Sequence, residues 1–490
     1  MATDSGRSPG KPRHETVDYE RTDSAYLEKR QLKKGAAGWV LLAGLGVAYV
    51  ISGDYAGWNY GLAQGGWGGL LVATVLMATM YACMVFGLAE MATAMPVAGA
   101  GYGFARRALG PLGGFATGTA ILIEYAIAPA AIACFIGGYV EALGLFGLTS
   151  GWPVYLVCFA IFVGIHLWGV GEALKVMFVI TAIAVVALIA FVVGMLPKVQ
   201  IANLLDIAPT DAAGASTFLP FGIAGVLAAL VYAIWFFLAV EGVPLAAEEA
   251  RDPTRDMPRG IIGAMAALLV FAALILVTAP GGAGASVLQD SDNPLPLAVR
   301  TAFGGDNWLA QFINYVGLAG LVASFFSIIY AYSRMLFALS RAGYLPRALS
   351  VTGRRKTPYL ALIVPALIGF ILASVTQNGA LLINIAVFGA TVSYVLMNVS
   401  HIVLRVREPD LPRPYRTPGG VVTTGVALVL AAAAVVATFV VDPLAAAITA
   451  GIFVIALAYF WFYSRHHLVA GAPEEEFAAI ARAEAELAGD

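Results

Sequence analysis

Charge is sparse in this chain. Only 12% of its 490 residues are Asp, Glu, Lys or Arg, while 60% are hydrophobic, a ratio that no soluble globular class tolerates. The two signs nearly cancel, 28 Lys and Arg against 30 Asp and Glu, for a net charge of −2. Without a basic excess, nucleic acid is excluded as a partner. Cysteine is rarer still: Cys83, Cys134 and Cys158 lie in apolar runs, with neither metal-ligand nor secretory spacing, and read as reduced packing residues. The five histidines are scattered. No HExxH, GxSxG, complete GxGxxG or phosphate loop occurs, so the sequence points away from an enzyme and implies no metal and no cofactor. A receptor would carry a cytosolic signalling domain, and no segment reads as one. No cleavable signal peptide is expected, because the first 36 residues are polar and charged and the first apolar stretch is too long for a signal h-region.

Long apolar runs are what the chain has instead. A hydrocarbon core of roughly 30 Å needs about 20 apolar residues per helix. That rule gives twelve spans near 37–66, 69–94, 112–146, 153–169, 174–196, 222–248, 260–280, 308–338, 359–376, 380–404, 420–441 and 443–464. The fold class expected is an all-α polytopic membrane protein. With the N-terminus inside, 26 of the 28 Lys and Arg fall in cytoplasmic segments, leaving only Lys198 and Arg300 outside. That asymmetry sets the orientation, with both termini cytoplasmic, in a cell membrane. Residues 1–36 read as a disordered N-tail, 37–464 as the transporter domain and 465–490 as a C-tail. The C-tail's PEEEFAAIARAEAELAGD reads as a short acidic amphipathic helix. Both tails are expected to lie outside the fold.

Two spans are interrupted. In the first, VAYVISGDYAGWNYGLAQGG (47–66) places Asp54, Asn59 and glycines 53, 57, 61 and 65 inside an apolar run. In the sixth, IWFFLAVEGVPLAAEE is broken by Glu241, Gly242 and Pro244. Each interruption opens a block of five spans, so the two occupy matching positions in two halves. Such pairs point to an inverted-repeat transporter with its site at the bilayer midplane. Repeat one would cover 37–196, repeat two 222–404, and two extra helices 420–464. Non-helical backbone persists at that depth only where it lines a cavity or is buried in protein. Glycines every four residues are also the pattern of a continuous helix packed closely on a neighbour; the matching break in span six favours the unwound reading. Two interrupted helices lining one closed cavity argue against a channel.

Four stretches carry a family resemblance: AEMATAMPVAGAGYGFARRALGP (89–111), AEEARDPTRDMPRGI (247–261), YSRMLFALSRAGYLPRALS (332–350) and REPDLPRPYRTP (407–418). From about 33 to 465 the chain resembles the amino acid–polyamine–organocation superfamily. The wording VISGDYAGWNYGLAQGGWGGLL, ILIEYAIAPAAIA and WFFLAVEGVPLAAEEARDP is most similar to bacterial ethanolamine permeases. The resemblance implies a five-plus-five inverted repeat with helices one and six broken, rocking-bundle alternating access, and proton coupling or exchange more often than sodium. Amino-acid permeases of this superfamily usually carry a Gly-X-Gly turn in helix one whose bare N–H groups cradle the substrate carboxylate. Here the turn reads Gly57-Trp58-Asn59. A substrate without a carboxylate needs no such cradle and needs an acid from the protein instead.

Those departures nominate the site. Asp54 either meets a substrate ammonium or caps the unwound turn, or does both; an unpaired acid at mid-bilayer costs about 2.5–3.5 kcal/mol on insertion scales. Trp58, Tyr55 or Trp235 can offer a cation–π face. Asn59 can bond a substrate hydroxyl or stabilise the turn. Glu241 is the foremost candidate, since similar transporters carry a glutamate there that contacts substrate or senses protonation; the alternative is a fixed hydrogen bond to helix one. Glu124 either faces the cavity or makes a buried structural hydrogen bond. Phe236 can shut the site from outside, and Ser324 and Ser327 can complete a sodium-like site of related folds. Where some proton-coupled members place a lysine on helix five, this chain has Ala184. Glu90, Glu248 and Glu249 read as gate or loop ion pairs, and His166 as a packing residue. The partners implied are a small-molecule substrate, ethanolamine or a related amine, and the lipid bilayer, with an amino-acid permease as the alternative.

Overall fold

The structure, a computed structural model, describes residues 17–20, 26, 37–97, 99–144, 147–168, 170–305, 307–473 and 475. Its long helices are α1 Trp39–Val50, α2 Tyr60–Ala94, α3 Gly101–Leu143, α4 Trp152–Trp168, α5 Val170–Met195, α6 Gly222–Trp235, α7 Pro253–Ala283, α8 Trp308–Arg341, α9 Tyr359–Thr376, α10 Gly379–Arg407, α11 Val421–Val441 and α12 Pro443–Phe462. Among the described residues ten helical stretches are long and apolar enough to cross a membrane, while α1 and α4 are shorter apolar helices.

Two of the long helices bend at a left-handed glycine. α2 turns at Gly66 (φ 65°), so its first six residues continue the first span and 67–94 form the second. α3 turns at Gly110 (φ 81°) ahead of Pro111, which separates a loop helix, 101–109, from the span that follows. These kinks fall within two residues of the boundaries expected from apolar run length.

Packing is pairwise. α10 lies along α3, α6 along α2, α7 along α1, and α8 against both α3 and α5. α3 is enclosed almost throughout, with 89% of its membrane window buried, against 22% for α12. Large apolar side chains stay exposed on the outer helices, among them Val186, Ile223, Val375, Val429 and Phe462. An apolar belt of that extent belongs in lipid.

Both interruptions are real breaks. Residues 56–59 are non-helical: Ala56 is extended and Gly57 has φ 96°. The second break covers 236–239 and ends at Ala239, a non-glycine residue with φ 76°, after which Val240–Glu249 resumes as a tight 3₁₀ helix.

The tails depart from expectation. Described parts of both dock against the arginine-rich loops instead of lying outside the fold. Tyr19–Glu20 pairs in parallel with Leu468–Val469. Glu475, 3% exposed, bonds Arg106 at 2.5 Å and accepts from Tyr344 at 2.9 Å. A carboxylate four residues beyond the last turn found its cation some 370 positions earlier, which no local pattern announces. The remainder of both tails, for which the sequence predicts disorder at the N-terminus and a short acidic helix at the C-terminus, lies outside the described residues.

Candidate functional site

The two breaks meet. Gly57 takes its left-handed turn against Trp235, whose Nε1 donates to the Ala56 carbonyl at 3.0 Å. A Cβ on Gly57 would lie 2.5 Å from that indole nitrogen, so glycine is required twice, by φ and by space. Trp58 stacks on Phe236 at 5.6 Å, and Phe237 lies 5.4 Å from Tyr81. Trp58, Trp235, Phe236 and Phe237 are all buried, and Trp58 Nε1 finds no acceptor among the described residues.

Three buried acids lie on or beside the two broken helices. Asp54 is fully buried one turn before the first break, and neither carboxyl oxygen has a hydrogen-bond partner among the described residues. Local capping of the turn, the alternative reading of Asp54, is performed by Asn59: its Oδ1 accepts from Gly57 N–H at 3.0 Å. Asn59 Nδ2 donates to the carbonyls of Leu288 at 2.7 Å and Ser291 at 2.8 Å, tying the turn to the loop after α7.

Glu241 sits in the first turn of the 3₁₀ helix after the second break. Tyr125 of α3 donates to its Oε1 at 3.0 Å and Tyr394 of α10 to its Oε2 at 3.2 Å. Tyr81 in turn donates to Tyr394 at 2.8 Å. The fixed bonds of Glu241 therefore run to α3 and α10, not to helix one. Glu124 is fully buried beside Glu241, close enough for the two carboxyls to interact. Neither Glu124 oxygen makes a hydrogen bond of ordinary geometry among the described residues, which departs from the buried structural hydrogen bond that the sequence favoured for it. No basic side chain forms an ion pair with Asp54, Glu124 or Glu241 among the described residues. Two neighbouring buried carboxyls cannot both carry charge at neutral pH without a cation between them.

The serines of α8 face the other side of the first break. Ser52 donates to Ser324 Oγ at 2.8 Å, which donates to the Tyr49 carbonyl at 2.6 Å. Ser327 bonds back to Ala323 O at 2.6 Å and touches Met177 Sδ. The Ala184 carbonyl is taken by the Tyr55 hydroxyl at 2.7 Å, and Tyr139 donates to the Tyr55 carbonyl at 3.1 Å. The outer ends of these tyrosines thus fix the extended backbone at Ala56.

The sequence missed the tyrosine frame. Tyr125 adjoins Glu124 and was findable as its neighbour; Tyr81 and Tyr394 carry no local signal, since aromatic residues in apolar helices are ordinary packing. His166 bonds the Phe326 carbonyl at 2.9 Å and stacks on its ring, a packing role as expected. Glu90, Glu248 and Glu249 do form ion pairs: Glu90 with Arg405 and Arg413, Glu248 with Arg341, Glu249 with Arg334. The last two find partners on α8, although Arg251 and Arg255 are nearer in sequence.

Comparisons with known proteins agree with this architecture. The amino acid permease family matches residues 40–472. The branched-chain amino acid permease BcaP of Bacillus subtilis is 28% identical over 382 residues, 74% of this chain and 78% of that protein. The methylthioribose transporter of the same species is 25% identical over 76% of this chain and 79% of its own length. The aromatic amino acid transport protein AroP of Escherichia coli is 26% identical over 65% and 70%. A helical bundle with two unwound segments meeting at a buried acidic site, matched over nearly its whole length, makes this chain a multi-pass transport protein of the cell membrane, not an enzyme, and a member of the amino acid permease family.

Proposed function

We propose that the chain is a secondary active transporter that imports ethanolamine or a closely similar small organic ammonium by alternating access, with both termini cytoplasmic. One observation carries the reading: Asp54 is buried one turn before the first break, Glu241 is buried just after the second with Glu124 beside it, and no cation among the described residues pairs with them. A primary ammonium supplies the missing charge. The Gly57 N–H, which would otherwise be free to hold a substrate carboxylate, is already bonded to Asn59 Oδ1. One donor of the turn is therefore already used, while the acids have no cation partner among the described residues. The Trp58 and Phe236 rings offer π faces worth about 0.5–2 kcal/mol to that cation.

We read the bundle as twelve spans in a five-plus-five inverted repeat, and the packing supports that reading. α1 packs on α7 as α6 packs on α2, and α3 packs on α10 as α8 packs on α5. Those are the exchanges an inverted repeat requires. Coupling to protons would run through the Glu124–Glu241 pair: without substrate the two share a proton, and an arriving ammonium replaces it. Phe236 would close the site by its stack on Trp58, while Ser324 ties helix one, just before its break, to α8; Ser327, bonded to Ala323 and Met177, would not touch the break.

A second reading, a permease for neutral or cationic amino acids, is favoured by the similarity to BcaP, a branched-chain amino acid permease, and AroP, an aromatic amino acid transport protein. Proteoliposome uptake separates the two. Labelled ethanolamine should enter, and unlabelled leucine, phenylalanine or lysine should compete little. Entry of labelled leucine with ethanolamine left outside overturns the proposal.

A further inference from the structure

Away from the site, the N-terminal turns of α1 and α7 and the 414–415 loop enclose a recess of about 620 Å³ lined by Trp39, Arg255, Pro258, Arg259, Ile262 and Tyr415, among others. Arg255 and Arg259 stand one turn apart on an exposed face of α7. Arg259 makes no ion pair among the described residues, and Arg255 reaches only Asp252, at 3.9 Å between mostly exposed side chains. The exposed Arg251 lines a second recess that shares Trp39. This contrasts with the same end of the molecule a few residues inward, where Arg334, Arg341, Arg405 and Arg413 are all matched to glutamates.

We propose that this recess is a binding site for the headgroup of an anionic phospholipid. Three features argue for a lipid over a soluble anion. The recess sits where the basic loops meet the first apolar turns of α1 and α7, the depth at which phosphates of a bilayer lie. Trp39 and Tyr415 flank it, the residue types that favour the membrane interface. Below the arginines the lining turns apolar, through Pro258 and Ile262 along α7, which suits the glycerol backbone and upper acyl chain and offers a free phosphate nothing. Asp252 and Asp256 temper the charge, yet Asp256 accepts from the Asp252 N–H at 3.2 Å and Asp252 is engaged as the N-cap by Thr254. Basic recesses between transmembrane helices recognise anionic headgroups through such arginine pairs. The inference is independent of the transported substrate.

Trp39 reports on the site. The protein is reconstituted with brominated phosphatidylglycerol or brominated phosphatidylcholine at equal fractions, and the quenching lost in Trp39→Phe is taken as the Trp39 component. That component should report about 25-fold tighter association for phosphatidylglycerol, since each of the two arginines near the surface contributes roughly fivefold. In R255Q/R259Q the preference should fall to near parity, and in R255K/R259K it should persist. Equal quenching by both lipids in the wild type, or a preference unchanged in R255Q/R259Q, overturns the proposal. So does loss of the preference in R255K/R259K, or its abolition by millimolar inorganic phosphate, which would mark a soluble-anion site.

Discussion

Two groups of buried acids share this molecule, and their surroundings are opposite. At the arginine-rich end each acid has a cation. Glu249 holds Arg334 at 2.6 Å and accepts from Tyr330 at 2.7 Å, Glu90 is gripped by Arg405 and Arg413, and Glu475 lies against Arg106. On and beside the two broken helices, Asp54, Glu124 and Glu241 have tyrosine hydroxyls or nothing among the described residues. Burial alone therefore does not mark an acid as functional. A buried charge with its partner supplied by the fold holds elements together; a buried acid without one awaits a partner from outside or a proton.

Substitution should separate the groups sharply. Glu241→Gln is expected to abolish uptake, and Asp54→Asn to weaken it strongly, because losing a desolvated charge contact to the bound ammonium costs about 2–5 kcal/mol, at least ~30-fold. The same two variants should melt no lower than the wild type, since a neutral amide suits an uncompensated site. Wild-type transport by both would reduce the carboxylates to scaffolding. Glu249→Gln should behave in the opposite way: it leaves Arg334 buried and unpaired, at about 3–5 kcal/mol of stability. Replacing both partners, Glu249→Leu with Arg334→Met, should restore most of the melting temperature. A Glu249→Gln protein as stable as wild type would erase the distinction between the groups.

The tail contact is a weaker member of the paired group. Glu475→Gln should cost roughly 1–3 kcal/mol and raise hydrogen exchange across 465–472 and 17–20, the two strands it anchors; unchanged exchange there would detach Glu475 from the clasp. The smallest effect concerns Asp292, exposed along one edge yet set against the packed first break, where it accepts from the Tyr60 hydroxyl. Partial burial raises its carboxyl above the ordinary value of 3.8, opposed by the Tyr60 bond. The folded loop then binds the proton more tightly than the unfolded chain, so its stability is full below the unfolded value and declines as pH rises through the folded one. The protection of amides 288–293 relative to their intrinsic exchange rate at each pH should accordingly rise modestly on acidification from neutral pH, and Asp292→Asn should remove that dependence.

How much was legible beforehand follows physical lines. Run length and glycine placement located the spans and both breaks, because hydrocarbon thickness and the need to satisfy backbone groups act locally on the chain. The acids stood out for the same reason: each is alone in an apolar run. Their partners did not, since Tyr125 and Tyr394 reach Glu241 from two other helices and Tyr81 bonds Tyr394 from a third. Asn59 shows the limit most clearly. Its type suited a substrate hydroxyl, but its amide is committed to Leu288 and Ser291, carbonyls more than 200 positions away. The tails were misjudged because polar composition argues for disorder only when no distant partner exists.

The most direct measurement is equilibrium binding of ethanolamine and of its uncharged isostere ethylene glycol to wild type, Asp54→Asn and Glu241→Gln in detergent or nanodiscs. The wild type should bind ethanolamine and ignore ethylene glycol, and each amide variant should lose at least ~30-fold in ethanolamine affinity. Equal affinity of all three proteins for ethanolamine, or binding of the uncharged diol as tight as that of the amine, would contradict the claim that these acids wait for a cation.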